Sequence, residues 1–280
     1  MTVFKVYDLN MNLRPFPSGV RPLDIFIHSI EKEKQSETKD GVPGTQTKGY
    51  IKRHRPIEVY LRLEAADTID YRMLRDEVKR FFNKDDVFYV VETYRHGIRY
   101  KVSTLQSFIP ERINQRVATQ RFFLEMDGLP FGESIGTTKM IDERGTLSDD
   151  ELWGFGMGLI DDPDSRKYTH EGKTFKIYNA GDETIHPYFM DLKIKISNVK
   201  GSTDFFELRN KTNNTRFRTT ESVSDTQVIE INRARVTSNG LEYFHKTTHK
   251  YIKLAPGWNE FEINGATSAK VEFDFRFYYE

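Results

Sequence analysis

A chain of 280 residues is long enough for two domains, each burying its own core, and an aromatic content of 13% supplies the apolar area to offset ordering entropy, which argues against disorder. Forty-two basic residues balance forty-two acidic ones, so no global field exists to hold a phosphate backbone, and a dedicated sequence-specific nucleic-acid binder is disfavoured. The absence of cysteine removes disulfides, thiol nucleophiles and thiolate metal sites together, a composition suited to folding in a reducing cytosol.

In chain order, short strands are expected at Val3 to Tyr7 and Leu23 to Ser29, separated by a turn through Pro15, Pro17 and Gly19. From Glu31 to Lys48 the chain is polar, charged and broken by Asp40-Gly41-Val42-Pro43-Gly44, the pattern of a long hairpin tip or exposed arm. The stretch from Arg55 to Val102 is the best specified. In Ile57-Glu58-Val59-Tyr60-Leu61-Arg62-Leu63-Glu64 the aliphatic residues take every second position, as a half-buried strand requires. From Asp70 the period changes: Tyr71, Leu74, Val78, Phe81 and Phe82 form one stripe of a helix packed on that strand, with Asp70 as N-cap and Asn83 as stop. Val87 to Thr93 and Ile98 to Val102 then form a hairpin through Tyr94-Arg95-His96-Gly97, with Gly97 supplying a positive φ.

After Leu105 to Pro110 comes an aromatic strand from Ala118 to Met126, which closes the first domain, bounded at 1–140. Residues 141–172 are rich in Gly and Asp and read as an inter-domain segment, whose apolar cluster Trp153, Phe155 and Met157 docks on a domain surface or on another copy. Over 173–280 strands follow one another: Phe175 to Tyr178, Met190 to Val199, Phe205 to Arg209, Gln227 to Asn232, Tyr251 to Leu254, Trp258 to Ile263 and Ala269 to Tyr279. Turns at Asn239-Gly240, Pro256-Gly257 and Asn264-Gly265 punctuate them, which indicates a sandwich or jelly roll. Val271, Phe273, Phe275 and Phe277 should point inward from the last strand.

The chemical candidates are weak. His245 and His249 have the spacing of a helical zinc pair, but Lys246 stands where the required Glu would be, in a strand-rich context. Asp161, Asp162 and Asp164 offer oxygen to a hard cation without the loop glycine or distal Glu of an EF-hand. The glycines 154, 156 and 158 are too closely spaced for a dinucleotide fingerprint. Trp258, Tyr243 and Phe244 could form an aromatic sugar platform, or ordinary core. No run of about 20 apolar residues and no apolar N-terminal h-region exists, so neither membrane span nor signal peptide is expected, and the N-x-[ST] matches at Asn210 and Asn213 carry no meaning. No catalytic, cofactor-binding or metal-binding residue is assigned.

The order of features resembles the distal tail protein family of long-tailed, non-contractile bacteriophages. It is carried by the Gly-containing arm, Tyr50-Ile51-Lys52-Arg53-His54-Arg55-Pro56-Ile57-Glu58-Val59, Asp70-Tyr71-Arg72-Met73-Leu74-Arg75-Asp76-Glu77 and Ser107-Phe108-Ile109-Pro110-Glu111-Arg112. Trp153-Gly154-Phe155-Gly156-Met157-Gly158-Leu159, Phe175-Lys176-Ile177-Tyr178-Asn179-Ala180-Gly181 and Gly257-Trp258-Asn259-Glu260-Phe261-Glu262-Ile263 complete it. The resemblance implies a mainly β chain without enzymatic activity or cofactor: an N-terminal β-barrel-like belt domain with one helix, and a C-terminal galectin-like β-sandwich over 173–280. It implies a hexameric ring at the distal end of the virion tail, assembled in the host cytoplasm. The ring would leave a channel for DNA and join the major tail-tube protein to a tail-associated fibre or lysin protein, with receptor-binding proteins carried in some members. The arm from Glu31 to Lys48 would serve ring or neighbour contacts. The alternative is an adhesion module that binds host cell-wall sugars through its C-terminal sandwich.

Overall fold

The computed structural model describes residues 2–38, 43–144, 152–154 and 156–280. The chain is mainly β, as expected, and divides into two compact units, residues 1–132 with Glu280, and residues 133–279.

In the first unit the strands are β1 (Phe4–Tyr7), β2 (Val20–Ile27), β3 (Lys32–Glu37), β4 (Gln46–Lys52), β5 (Pro56–Glu64), β6 (Phe88–Glu92), β7 (Ile98–Ser103) and β8 (Val117–Met126). The main sheet runs β1-β6-β7-β8-β5-β2, all antiparallel, and β1 also contacts β2, so the sheet curls back toward itself. Alternation fixes which face is core: Ile57, Val59, Leu61 and Leu63 are fully buried, and their register partners Leu124, Phe122, Gln120 and Ala118 on β8 share that face.

Helix α1 (Thr68–Phe82) lies against β5 and buries Tyr71, Leu74, Val78 and Phe82, the stripe read from the sequence. Its N-cap, Asp67, lies three residues before the expected one. Asp67 is extended (φ −151°, ψ −170°), and its carboxylate accepts the N–H groups of Ile69 and Asp70 at 2.7 and 2.9 Å. Asp70 works in reverse, its Oδ2 accepting the Ala66 N–H at 2.7 Å, so the two acids share the orphan donors of the first turn. Asn83 ends the helix as expected, donating its N–H to the Lys79 carbonyl. Asp67→Ala should lower the stability of this unit by about 1 kcal/mol in urea unfolding, whereas Asp70→Asn, which keeps a side-chain oxygen, should cost less. The β6–β7 connection also differs from expectation: Thr93–Arg95 form a 3-10 turn, and Gly97 is not among the positive-φ residues.

The second unit contains α2 (Thr138–Arg144), β9 (Thr169–Gly172), β10 (Thr174–Asn179), β11 (Leu192–Lys200), β12 (Glu207–Asn210), β13 (Thr215–Arg218), β14 (Ile229–Asn232), β15 (Arg235–Ser238), β16 (Gly257–Asn264) and β17 (Ser268–Phe275). Two antiparallel sheets form, ordered β9-β17-β11-β14-β15 and β10-β16-β12-β13. They face each other through aromatic contacts, with Phe261 of one and Phe273 of the other 5.0 Å apart and Phe175 6.2 Å from Phe273. Val271, Phe273, Phe275 and Phe277 are all buried, as their alternation requires. The Asn239-Gly240 turn has positive φ at both residues (48° and 82°), the geometry of a type I′ hairpin, which asparagine and glycine tolerate.

The segment from Tyr251 to Leu254, expected as a strand, makes only an isolated bridge, Ile185 with Leu254. Side-chain amides take its ladder positions: the Lys253 carbonyl accepts Asn210 Nδ2 at 2.9 Å and Asn213 Nδ2 at 2.8 Å. Asn210 and Asn259 are fully buried; Asn259 Oδ1 accepts Asn210 Nδ2 and the Ala255 N–H, and Asn259 Nδ2 donates to the carbonyls of Ala255 and Gly257. Asn259→Ala would strand several of these groups in the interior and should destabilise the second unit by roughly 2–4 kcal/mol, read as a lowered calorimetric midpoint.

Candidate assembly surface

The polar arm is a two-stranded antiparallel hairpin, β3 with β4, in the register Lys32↔Lys52 to Glu37↔Gln46 with a bulge between Gln35 and Ser36. The Asp40-Gly41-Val42 part of its expected tip lies outside the described residues. At the root Ile30 is buried, the Glu31 N–H donates to the His54 carbonyl at 2.8 Å, and the Arg53 N–H returns to the Glu31 carbonyl at 2.8 Å. Arg55 is buried beside it, its Nε donating to the His28 carbonyl at 2.8 Å, and burial pulls the guanidinium below its usual range. Lys52 is held at the foot of β4 by the Glu280 carboxylate and sits 5.2 Å above the Phe131 ring.

Beyond this root the arm leaves the core. Every residue of β3 is exposed, and Tyr50 of β4 is 67% exposed. The pairs Glu37–Lys48 (2.7 Å) and Glu33–Arg53 (2.5 Å) lie in water, where such contacts are worth a fraction of a kcal/mol. Each strand pairs on one side only among the described residues, leaving two open edges. A lone two-stranded hairpin is marginal in water, and open edges are templates for a further strand. The geometry therefore suits an arm that another protein surface covers. The same unit exposes apolar groups at Ile69 and Met73 on one side of α1 and at Leu105, Ile109 and Ile113 in the β7–β8 connection.

The chemical candidates do not come together as sites. His245 lies in a 3-10 turn, while His249 has φ 57° and stacks on Phe244 at 4.3 Å. Asp162 caps a 3-10 turn through the Asp164 N–H, Asp161 pairs with Arg166, and Asp164 pairs with Lys167 at 2.7 Å. Gly158, at φ 69°, passes so close to the Ala180 carbonyl that a Cβ would stand 2.2 Å from its oxygen, a packing reason for glycine. Trp258 stands 5.1 Å from Tyr178, whereas Tyr243 is buried and donates to Glu221 at 3.1 Å, its phenol pushed by burial up to about 12. The three aromatics thus form no common platform. In the second unit Trp153 packs edge-on to Phe277 at 6.0 Å, and the Met157 carbonyl accepts the Tyr279 hydroxyl at 3.0 Å; Phe155 lies outside the described residues. Asn210, nominally a sequon, is a core residue; its role depends on a carbonyl 43 positions away that no local pattern marks.

Residues 1–127 match the family model described as the phage tail protein RIFT-related domain. The first unit is thus similar to the phage tail protein RIFT-related domain. No curated protein matches the chain. Among solved structures, the whole chain is similar to the SPP1 Dit (gp 19.1) protein, whose crystal structure is described as a paradigm of hub adsorption apparatus in Gram-positive-infecting phages. The match has a TM-score of 0.65 at 11% identity and covers 99% of this chain and 100% of that one, so the two share a fold. A chain of the phage p2 baseplate in its activated conformation with Sr also matches, at a TM-score of 0.37 and 12% identity over 98% of this chain and 97% of that one. The exposed arm grows out of the segment that matches this family model.

Proposed function

We propose that the chain is the distal tail hub protein of a long-tailed, non-contractile phage, a structural rather than catalytic component. Six copies close into a ring at the distal end of the virion tail and leave a channel for DNA. The ring joins the tail-tube protein on one side to a tail-associated fibre or lysin protein on the other, gives receptor-binding proteins a seat, and is assembled in the host cytoplasm. The observation that carries this reading is the arm: a hairpin with two open edges, anchored at its root and uncovered beyond it, on a phage tail RIFT-related domain. Head-to-tail ring closure requires complementary, non-identical surfaces, which an arm and a receiving face supply. The balanced net charge fits a channel through which DNA slides, because each neutralised phosphate would add affinity.

The test is light scattering on the purified chain across micromolar concentrations, followed by negative-stain imaging, alone and with the tail-tube protein. Six-fold rings with a central hole support the hub; a chain that stays monomeric in both settings overturns it.

A further inference from the structure

The second unit holds a pocket of about 550 Å³ lined from the 3-10 turn Pro163–Arg166 and its flanks, from β9 and β10, and from the start of β16. Trp258 borders it. Asn259, Phe261 and Ile263 of β16 are buried, so strand alternation turns Trp258, Glu260 and Glu262 to the outer face of the sheet. Of the two tryptophans Trp153 is core, whereas Trp258 is only half-buried. Its register partner Tyr178 stands 5.1 Å away at 58°, held in turn by its hydroxyl donating to the Gly158 carbonyl at 3.1 Å. No other ring meets the indole among the described residues.

Hydrogen-bonding groups of both kinds surround it. Asp162 uses Oδ1 to accept the Asp164 N–H at 2.9 Å, and its Oδ2 has no hydrogen-bond partner among the described residues. His170 Nε2 lies 3.0 Å from the Lys167 carbonyl, which only accepts, so Nε2 carries the proton and Nδ1 is left as an acceptor. Burial holds this imidazole below its usual range and so keeps it neutral. Thr174 is exposed and adds a hydroxyl that donates and accepts. The charges in the lining cancel: Asp162 and Asp164 stand against Lys167 and Lys176, with Lys167 2.7 Å from Asp164 and Lys176 3.0 Å from Glu260.

That balance selects the class of ligand. The carboxylates oppose a phosphate or a nucleotide, and the ammonium groups oppose an amine, because like charges brought together are costly. A neutral molecule remains, one whose polar groups both donate and accept and which has an apolar face to set against the indole. A hexopyranose has this form: its hydroxyls lie around the ring edge, and its C–H groups present weak positive charge to the negative face of an aromatic ring.

We propose that this pocket binds a neutral hexopyranose chain, with one sugar ring against Trp258 and its hydroxyls on Asp162 and His170. Neither ring closure nor tail docking requires this binding, so it stands or falls apart from the hub reading.

Calorimetric titration of the full chain with lactose, maltotriose and chitotriose, each to about 10 mM, tests it. The expected result is saturable binding of at least one of them, equal at low and at physiological salt, and weakened tenfold or more in Trp258→Ala, while Tyr188→Ala on another loop leaves it unchanged. Melting curves show whether the variants keep the fold. Should Trp258→Ala unfold, acrylamide quenching of the wild-type fluorescence decides instead: Trp153 is buried, so the quenchable indole is Trp258, and saturation with the sugar should shield it. No saturation by any of the three sugars, binding indifferent to Trp258→Ala, or quenching unchanged by bound sugar overturns the proposal. So does binding of choline or of glucose 6-phosphate tenfold tighter than that of all three, since charge would then select the ligand.

Discussion

Phe82→Ala is expected to destabilise the first unit by about 3–5 kcal/mol, measured as a lower urea midpoint with an unchanged slope. Phe82 is 1% exposed and closes the C-terminal end of α1 over the sheet. Its ring lies 5.0 Å from Phe81, 4.9 Å from Phe122, 6.1 Å from Phe88 and 6.2 Å from Phe108, so truncation opens one cavity shared by the helix, two strands and the β7–β8 connection. These rings are held by several elements and cannot collapse together into the space, which puts the cost at the upper end of large-to-small substitutions. Phe82→Leu keeps most of the volume and should recover more than half of the loss. A loss below about 1 kcal/mol for the alanine variant would mean that the aromatic cluster is not the core of this domain.

The second expected result concerns assembly. Joining Glu33 to Ile51 through Asn-Gly removes the outer arm and keeps the root hydrogen bonds between Glu31, Arg53 and His54. Among the described residues, those removed bury no core, so the melting midpoint should hold to within a few degrees. Ring formation should instead require a concentration roughly tenfold higher or more, or fail, because the arm would gain its covering surface only in the assembly. Rings that form at the same concentration as the wild type and still join the tail tube would remove the arm from the interface.

The two results test features of different legibility. The positions of Phe82 and of the arm could both be read without coordinates, one from helical period and the other from an unbroken polar, Gly- and Pro-containing stretch. The neighbours of Phe82 could not, because Phe88, Phe108 and Phe122 reach it from later elements brought there by chain reversal. The acid that caps α1 was misread as Asp70: Asp67, three residues earlier, has the same side chain, and the cap falls to it because its backbone is the extended one. The 251–254 segment has strand composition, yet the side-chain amides of Asn210 and Asn213 claim the carbonyl that a ladder would use.

Periodicity by itself determined the elements whose environment repeats with the chain: the alternation in β5 and β17, the stripe of α1, and the Asn239-Gly240 reversal, since each depends on neighbours within a few residues. Composition determined that charge is balanced and that cysteine chemistry is absent. Only the tertiary structure decided that Tyr243 is core rather than platform, that Asn259 ties loops together, and that Asp162, His170 and Trp258 share one pocket. Those outcomes depend on contacts between residues about 40 or more positions apart or on loops of no regular period, and the free energy of such contacts is set by which surfaces the fold brings together.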